Sequence, residues 1–210
     1  MKITAPKCRE ELEAINIKDA LEEDYYISNG TISSLKGITE WEERVVFDQI
    51  HFQQASFESL HFYQVEFIDC IFEKCDLSNV VMDQALFHRV EFIECKLFGA
   101  NITDGRLTDV RLVENLANYL NLSFSKLKKV SFTKCILNHA DFVDSTFQQV
   151  ELENCELNEA NFTDTSLNGI DLSTSTYENL IVSMEDLKGC TVSMEQAIGF
   201  AKSLGVIIKE

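Results

Sequence analysis

The sequence predicts an all-β solenoid with four short sides to each turn, and two observations carry that prediction. From Phe47 to Val182 every fifth residue is apolar without a skip: Phe47, Phe52, Phe57, Phe62, Phe67, Phe72, Leu77, Met82, Phe87, Phe92 and onward. A period of five is neither the 3.6 of a helix nor the 2 of a flat strand, and self-similarity at a fixed period marks a repeat architecture. The second observation is recurrence at twenty. Cys75, Cys95, Cys135 and Cys155 fall in one column, broken by Asn115; Val90, Val110, Val130 and Val150 fall in another; Phe47, Phe67 and Phe87 in a third. Positions 20 apart therefore stack, and like side chains at strand spacing form dry ladders.

The elements follow in chain order. Residues 1–44 read as an N-terminal cap. Glu10, Glu11, Leu12, Ile15 and Ala20 suit a short amphipathic helix after Pro6. Residues 25–44 read as a degenerate first coil: Ile27 and Ile32 keep the phase, Gly37 and Glu42 break it, and Ile38 and Trp41 fill the same space after a one-residue slip. Trp41 is expected to plug the open end, since terminal repeats are atypical. The regular repeat spans 45–184. Its central apolar residues face in, with a smaller residue two positions earlier beside them. Residues 185–210 form a closing module. Ser193 and Gln196 match a capping box, Ala197, Ile198, Ala201 and Leu204 give one apolar helical face, and Gly205 stops it. Val206-Ile207-Ile208 reads as a short strand, and helix and strand together suit two-fold association.

Charge narrows the function classes. The chain carries 18 Lys+Arg against 35 Asp+Glu, a formal net charge of −17. On that balance direct nucleic-acid binding and an anionic membrane are disfavoured, and a basic partner is favoured. Spread along seven 20-residue coils of about 4.8 Å, the repeat carries roughly one net negative charge per 3 Å, on the order of half the axial density of duplex DNA. No apolar run reaches 18 residues, and the first six residues lack a signal-peptide core, so a cytoplasmic protein is the default. The seven cysteines contain no Cys-x-x-Cys pair. Five of them, Cys70, Cys75, Cys95, Cys135 and Cys155, sit in the small-residue slot, which suits buried free thiols rather than a metal site. No phosphate-cradling loop, nucleophile elbow or ligand-spaced set appears, so neither enzyme activity nor a cofactor is expected.

One stretch departs from the pattern. Asn115 occupies an inward slot, Ala117 is the poorest central residue, and Leu116, Tyr119 and Phe124 occupy outward positions. Either this coil bulges or it exposes an apolar patch.

From Val45 the chain resembles the pentapeptide repeat proteins, whose motif is roughly Ala-(Asp/Asn)-Leu-x-x. Ala100-Asn101-Ile102-Thr103-Asp104, Ala140-Asp141-Phe142-Val143-Asp144 and Ala160-Asn161-Phe162-Thr163-Asp164 match it. The resemblance implies a right-handed quadrilateral β-helix, one pentapeptide to a side. With its acidity, its closing module and its Met1-Lys2-Ile3-Thr4 opening, the chain is similar to the Qnr-type fluoroquinolone-resistance proteins, above all those of Gram-positive bacteria. That resemblance implies a homodimer joined through the C-terminal modules, a rod that mimics duplex DNA, binding to DNA gyrase and topoisomerase IV, and their protection from fluoroquinolones. An immunity factor against a gyrase-directed toxin and a structural adaptor are the alternatives. The residues expected to face the topoisomerase are Glu94, Asp104, Asp109, Glu114, Leu116, Tyr119, Phe124, Asp144 and Asp164. Those expected to join the dimer are Met194, Ala197, Ile198, Ala201, Leu204, Val206 and Ile207. Gram-negative relatives carry loops on their coils; this chain keeps its five-residue phase, so no loop residue is carried over.

Overall fold

The structure is a computed structural model that describes residues 1–8, 12–23, 25–35, 40–41 and 44–209. Its backbone is a stack of coils joined by parallel pairing at a register of 20. Lys126 pairs with Arg106 and with Thr146, and Val130 with Val110 and Val150. Eight-residue strands at Leu86–Ile93, Arg106–Val113, Lys126–Thr133 and Thr146–Glu153 each cover two adjacent sides. The other two sides pair through single bridges such as Lys96 to Leu116 and Asn101 to Asn121. The four sides are numbered here by their central residues: the first by Phe87 and Leu107, the second by Phe92 and Leu112, the third by Leu97 and Ala117, the fourth by Ile102 and Leu122.

The five-residue beat has a backbone cause. The residue two past each centre adopts a left-handed conformation at every corner from Gln49 (φ 57°) to Gly169 (φ 80°). A β-branched side chain there is a steric outlier. Asn, Asp, Gln, Lys, Glu, Arg, Ser, His and Gly fill most of these positions, and no Val, Ile or Thr does. This turn residue folds the chain through a corner every five residues, which a periodicity of side-chain burial alone does not explain.

The interior is built as expected. Phe47, Phe67 and Phe87 stack at 5.3 and 5.2 Å between ring centroids, and Phe52, Phe72 and Phe92 at 4.6 Å each. The smaller column also satisfies backbone polarity. Cys75, Cys95, Cys135 and Cys155 each donate a thiol hydrogen to a carbonyl, at Phe52, Phe72, Leu112 and Phe132 respectively. Burial pushes the Cys70 thiol above its ordinary value, and the hydrogen bond with the neighbouring thiol, together with burial, does the same for Cys95 and Cys155, so these cysteines sit inside as protonated, hydrogen-bonded groups.

Asn115 continues that column rather than breaking the coil. It is fully buried. Its Oδ1 accepts from the Cys95 amide at 2.7 Å, and its Nδ2 donates to the Phe92 carbonyl at 3.0 Å. A carboxamide can take the hydrogen bonds of the thiol slot and add an acceptor. The register runs through unshifted, with Leu116 bridging Lys96 and Ile136. Of the two possibilities at 115–124, the coil does not bulge; Leu116, Tyr119 and Phe124 stand about half exposed.

The ends differ from expectation in detail. Helix α1 runs Ile17–Glu23, beginning later than the sequence suggests, because Glu13–Ala14 pairs with Gly30–Thr31 as a strand. Gly30 is required there: a Cβ would lie 2.2 Å from Ile15 Cδ1, and Ile15 packs against the core in that space. Glu40–Trp41 pairs with His61–Phe62 at a register of 21, the one-residue slip expected for this coil. The expectations for Glu10, Glu11, Gly37, Ile38 and Glu42, and for the Trp41 side chain, lie outside the described residues. At the other end helix α2 runs Met194–Ser203 with both halves of the Ser193–Gln196 capping box formed. Residues 206–209 form no strand, in contrast to the expectation. The Val206 amide turns back to the Ala201 carbonyl at 3.0 Å and closes the helix, and among the described residues no strand pairs with the tail.

Candidate functional site

The outer faces of the rod are chemically unequal. Between residues 60 and 184 the fourth side carries Asp83, Asp104, Asp141, Asp144 and Asp164 and no Lys or Arg; Arg44, in the same corner column on the coil before, is held by Glu66. Asp83, Asp104, Asp144 and Asp164 are exposed, and no ion pair among the described residues includes any of the five. Asn101, Asn121, Asp141 and Asn161 line the middle of this face; Asn161 donates to Asp141 at 3.1 Å. Tyr119 rims one edge and Phe124 the other, 51% and 52% exposed. Of the expected topoisomerase-facing residues, Asp104, Phe124, Asp144 and Asp164 thus share one corner column, with Tyr119 across the face.

Leu116 belongs to the third side. There it joins Phe98, 47% exposed, whose ring meets Tyr119 edge-on at 5.4 Å; Tyr119 in turn stacks on His139 at 4.8 Å. Glu94 and Glu114 sit at the corner between second and third sides and are partly neutralised. Lys134 meets Glu114 at 3.0 Å, and Lys74 meets Glu94 at 3.9 Å.

Asp109 is corrected by the structure. It lies on the first side, at the corner toward the second, but is 8% exposed, and Asp69 in the same column is 5% exposed. Residues 1–8 form an extended strap across that corner. The Met1 ammonium meets Glu151 at 2.8 Å, Ile3 is buried, and the Ile3 carbonyl accepts from Arg111 at 3.2 Å. The Thr4 amide donates to Asp109 and the Lys7 amide to Asp69. Arg89 clasps Asp69 through Nε and Nη2 at 2.5 and 2.6 Å. Asp109 is an anchor for the chain's own N-terminus, not a free anion. Nothing in the repeat pattern signals the strap: Asp69 and Asp109 share their column with Arg89 and Lys129.

The C-terminal module is held by few contacts. Gln196 Nε2 donates to the Leu172 and Ser175 carbonyls at 2.9 and 2.8 Å, and Phe200 lies 6.1 Å from Tyr177 across a cleft of about 430 Å³. No residue of α2 is buried. Met194 is 80% exposed, Leu204 62% and Ile207 89%; Ala197, Ile198 and Val206 are also exposed, and Ala201 is half-buried. The apolar face expected at the dimer is therefore uncovered within one chain. Among the described residues no group of three or more His, Cys, Asp and Glu side chains is placed to hold a metal ion, and no helix is long and apolar enough to cross a membrane.

This is a parallel β-solenoid, a repeat protein whose charged and exposed aromatic side chains lie on its outer faces. The chain belongs to the pentapeptide repeat family, whose fold is the right-handed quadrilateral β-helix: the pentapeptide repeat region matches residues 45–122 and 85–162. It is 42% identical over 206 residues, 98% of this chain and 97% of the relative, to the uncharacterized protein YisX of Bacillus subtilis (strain 168). Two solved structures are also similar. A trypsin-treated form of QnrB1, a plasmid-mediated fluoroquinolone resistance protein, is 16% identical with TM-score 0.46, covering 94% of this chain and 97% of that one. HetL of Nostoc sp. strain PCC 7120, involved in heterocyst differentiation regulation, is 12% identical with TM-score 0.47, covering 84% and 91%. No residue roles are carried over from either.

Proposed function

We propose that this protein is an acidic rod that binds DNA gyrase and topoisomerase IV in place of DNA and protects them from fluoroquinolones. The observation that carries the reading is the fourth side from residue 60 on: five aspartates, no Lys or Arg, and no ion pair to any of the five among the described residues, on a parallel ladder. Adjacent coils repeat a side chain every ~4.8 Å, so this face presents anions in rows, as a phosphate backbone does. Tyr119 and Phe124 at its edges offer apolar contact to the long stems of Arg and Lys on a basic saddle. The resemblance of the repeat and its closing module to Qnr-type proteins supports the same partner.

The test is a gyrase supercoiling assay with a fluoroquinolone, titrated with this protein. Restored supercoiling supports protection; inhibition in the absence of drug supports mimicry without protection. Replacing Asp104, Asp144 and Asp164 together by Asn should abolish either effect, and an unchanged effect would refute the assignment of this face. Affinity should also fall steeply as salt rises.

The exposed face of α2 supports a homodimer through the C-terminal modules. Leu204→Glu should give monomers in sedimentation, and a wild type that is monomeric at micromolar concentration would refute the dimer. The third-side patch of Phe98, Leu116 and Tyr119 favours a second reading, an adaptor that docks a protein by apolar contact. Loss of a partner on Leu116→Glu, with no effect of the Asp variants on gyrase, would establish that reading instead.

A further inference from the structure

The net charge hides a face of opposite sign. Of the nine Lys and Arg between Val45 and Met184, five lie on the first side: Arg89, Arg106, Lys126, Lys128 and Lys129. Arg89 is committed to Asp69. The other four belong to no ion pair among the described residues. Arg106, Lys126 and Lys128 are exposed and Lys129 is half-buried. Arg106 pairs in register with Lys126 on the next strand, and Lys128 lies two residues along, so the four cations occupy an area of roughly 5 by 10 Å.

The surroundings narrow what such a patch takes. On the coil below is Thr108; on the coil above are Thr146, Gln148 and Gln149, each neutral and able to donate a hydrogen bond. The only carboxylate of the first side on these three coils is Asp109, already engaged by the strap. The strap adds a cation: Met1 is fixed on Glu151 and Thr4 on Asp109, so residues 2 and 3 cross the strand Lys126–Thr133 between them, and Lys2 is exposed. A protein partner would want an apolar centre to the interface. A membrane would want apolar anchors beside the lysines. This patch has neither; it has Arg, Lys, Thr and Gln, the side chains that contact phosphate oxygens.

We propose that the first side, centred on Lys126, Lys128 and Lys129, binds the phosphate backbone of duplex DNA without sequence preference. The expectation of no nucleic-acid contact rested on net charge, and the structure separates that charge by face. Asp104 lines the same cleft as Arg106 and Asp144 lies two residues before Thr146, so these two carboxylates oppose the patch from its edge; anions beyond a Debye length of about 8 Å at physiological salt are screened. The inference does not need the topoisomerase reading, although a rod with one face for the enzyme and another for the DNA that the enzyme holds would combine the two.

The test uses the full chain and a short fluorescent duplex, without topoisomerase, followed by anisotropy. Four phosphates neutralised give a log–log salt slope of about −3.6. Repulsion from the acidic faces opposes this, so the expected result is micromolar binding with a slope between about −2 and −4. Lys126→Glu with Lys128→Glu should weaken binding at least tenfold with the melting temperature unchanged, since both side chains are exposed and neither stacks on Asp109. Asp144→Asn with Asp164→Asn should leave binding equal or stronger. Absence of binding at about 50 mM salt, or binding indifferent to the lysine pair, overturns the proposal. So does preferential binding of poly-glutamate, which indicates an acidic protein partner, or of anionic vesicles, which indicates a membrane. Any of these leaves the supercoiling result untouched, so the two readings fail separately.

Discussion

The backbone amide of Thr4 donates to the Asp109 carboxylate at 2.8 Å, joining residues 105 apart in sequence. With Met1 on Glu151 and Lys7 on Asp69, this bond lays the N-terminus along the rod as a strap. A hydrogen bond to a charged acceptor is worth about 1.5–3 kcal/mol net. Asp109→Ala should therefore free the strap while the coils remain folded. Cys8 reports on it. Burial, with Asp69, Glu91 and Asp48 nearby, pushes its thiol from 9.0 to about 11. Release should return it toward 9.0, about a hundredfold more thiolate at neutral pH. In a Cys190→Ser background, reaction with a disulfide reagent should accelerate by one to two orders of magnitude. An unchanged rate would show that the strap stays docked without Asp109. An N-terminal fusion, which removes the Met1 ammonium, should accelerate it too.

Acid should loosen the same contact. Burial alone would raise the Asp69 carboxyl, but the Arg89 fork, the Lys7 amide and the charges of both residues outweigh it and hold the carboxyl below its ordinary 3.8. A depressed carboxylate contributes stability that is present above its unfolded pKa and lost as pH falls through the folded one. Stability should thus be insensitive to Asp69 ionisation near neutrality and decline below about pH 3.8. Thermal melts of the wild type and Asp69→Asn should converge in acid. Curves that stay parallel down to pH 2 would contradict this.

Phe92 ends a three-ring stack with Phe52 and Phe72 and is 2% exposed. Phe92→Ala removes the ring from a ladder whose backbone is pinned on both sides and cannot collapse. The expected cost is about 3–5 kcal/mol. At roughly 2–4 °C per kcal/mol for a chain of this size, the midpoint should fall by some 6–20 °C. A shift within two degrees would put the side chain outside the core.

Asn115 distinguishes a polar column from a purely apolar one. Asn115→Cys restores the thiol of its neighbours and should change stability by less than about 1 kcal/mol. Asn115→Leu leaves the Cys95 amide without its acceptor and should cost about 1–3 kcal/mol. Equal denaturant midpoints for the two variants would show that the carboxamide bonds contribute nothing.

The corners supply a backbone test. Phe124 sits at φ 61°. Phe124→Gly should be neutral or mildly stabilising, because glycine adopts this conformation freely. Phe124→Val should destabilise by about 1–3 kcal/mol, as a β-branched residue in the left-handed region. A Val variant as stable as the Gly variant would mean that the corner relaxes.

Much of this was legible in the chain. The five-residue beat gave the interior down to individual residues such as Phe92 and Leu112, and recurrence at twenty gave the register. The left-handed corners were legible as well: no Val, Ile or Thr occurs two residues past a centre from Gln49 to Gly169. Hydrophobic periodicity tracks burial and is blind to φ, so it does not disclose that rule. By polarity alone Asn115 is a fault in the column; its satisfaction depends on an amide 20 residues away. The tail after Gly205 looked like a strand because three β-branched residues have that propensity, and propensity yields where no partner strand exists.

The sequence by itself determined the coil, because each pentapeptide repeats one local solution and stacks only on its neighbours. Tertiary structure decided which faces are free. Asp109 is engaged by Thr4, Glu114 by Lys134 and Asp69 by Arg89, while Asp104 and Asp144 on one side and Lys126 and Lys128 on another have no ion-pair partner among the described residues. The Asp69–Arg89 and Glu114–Lys134 pairs follow the register of 20, but the strap joins parts of the chain up to 150 residues apart, and no periodicity of side chains encodes it.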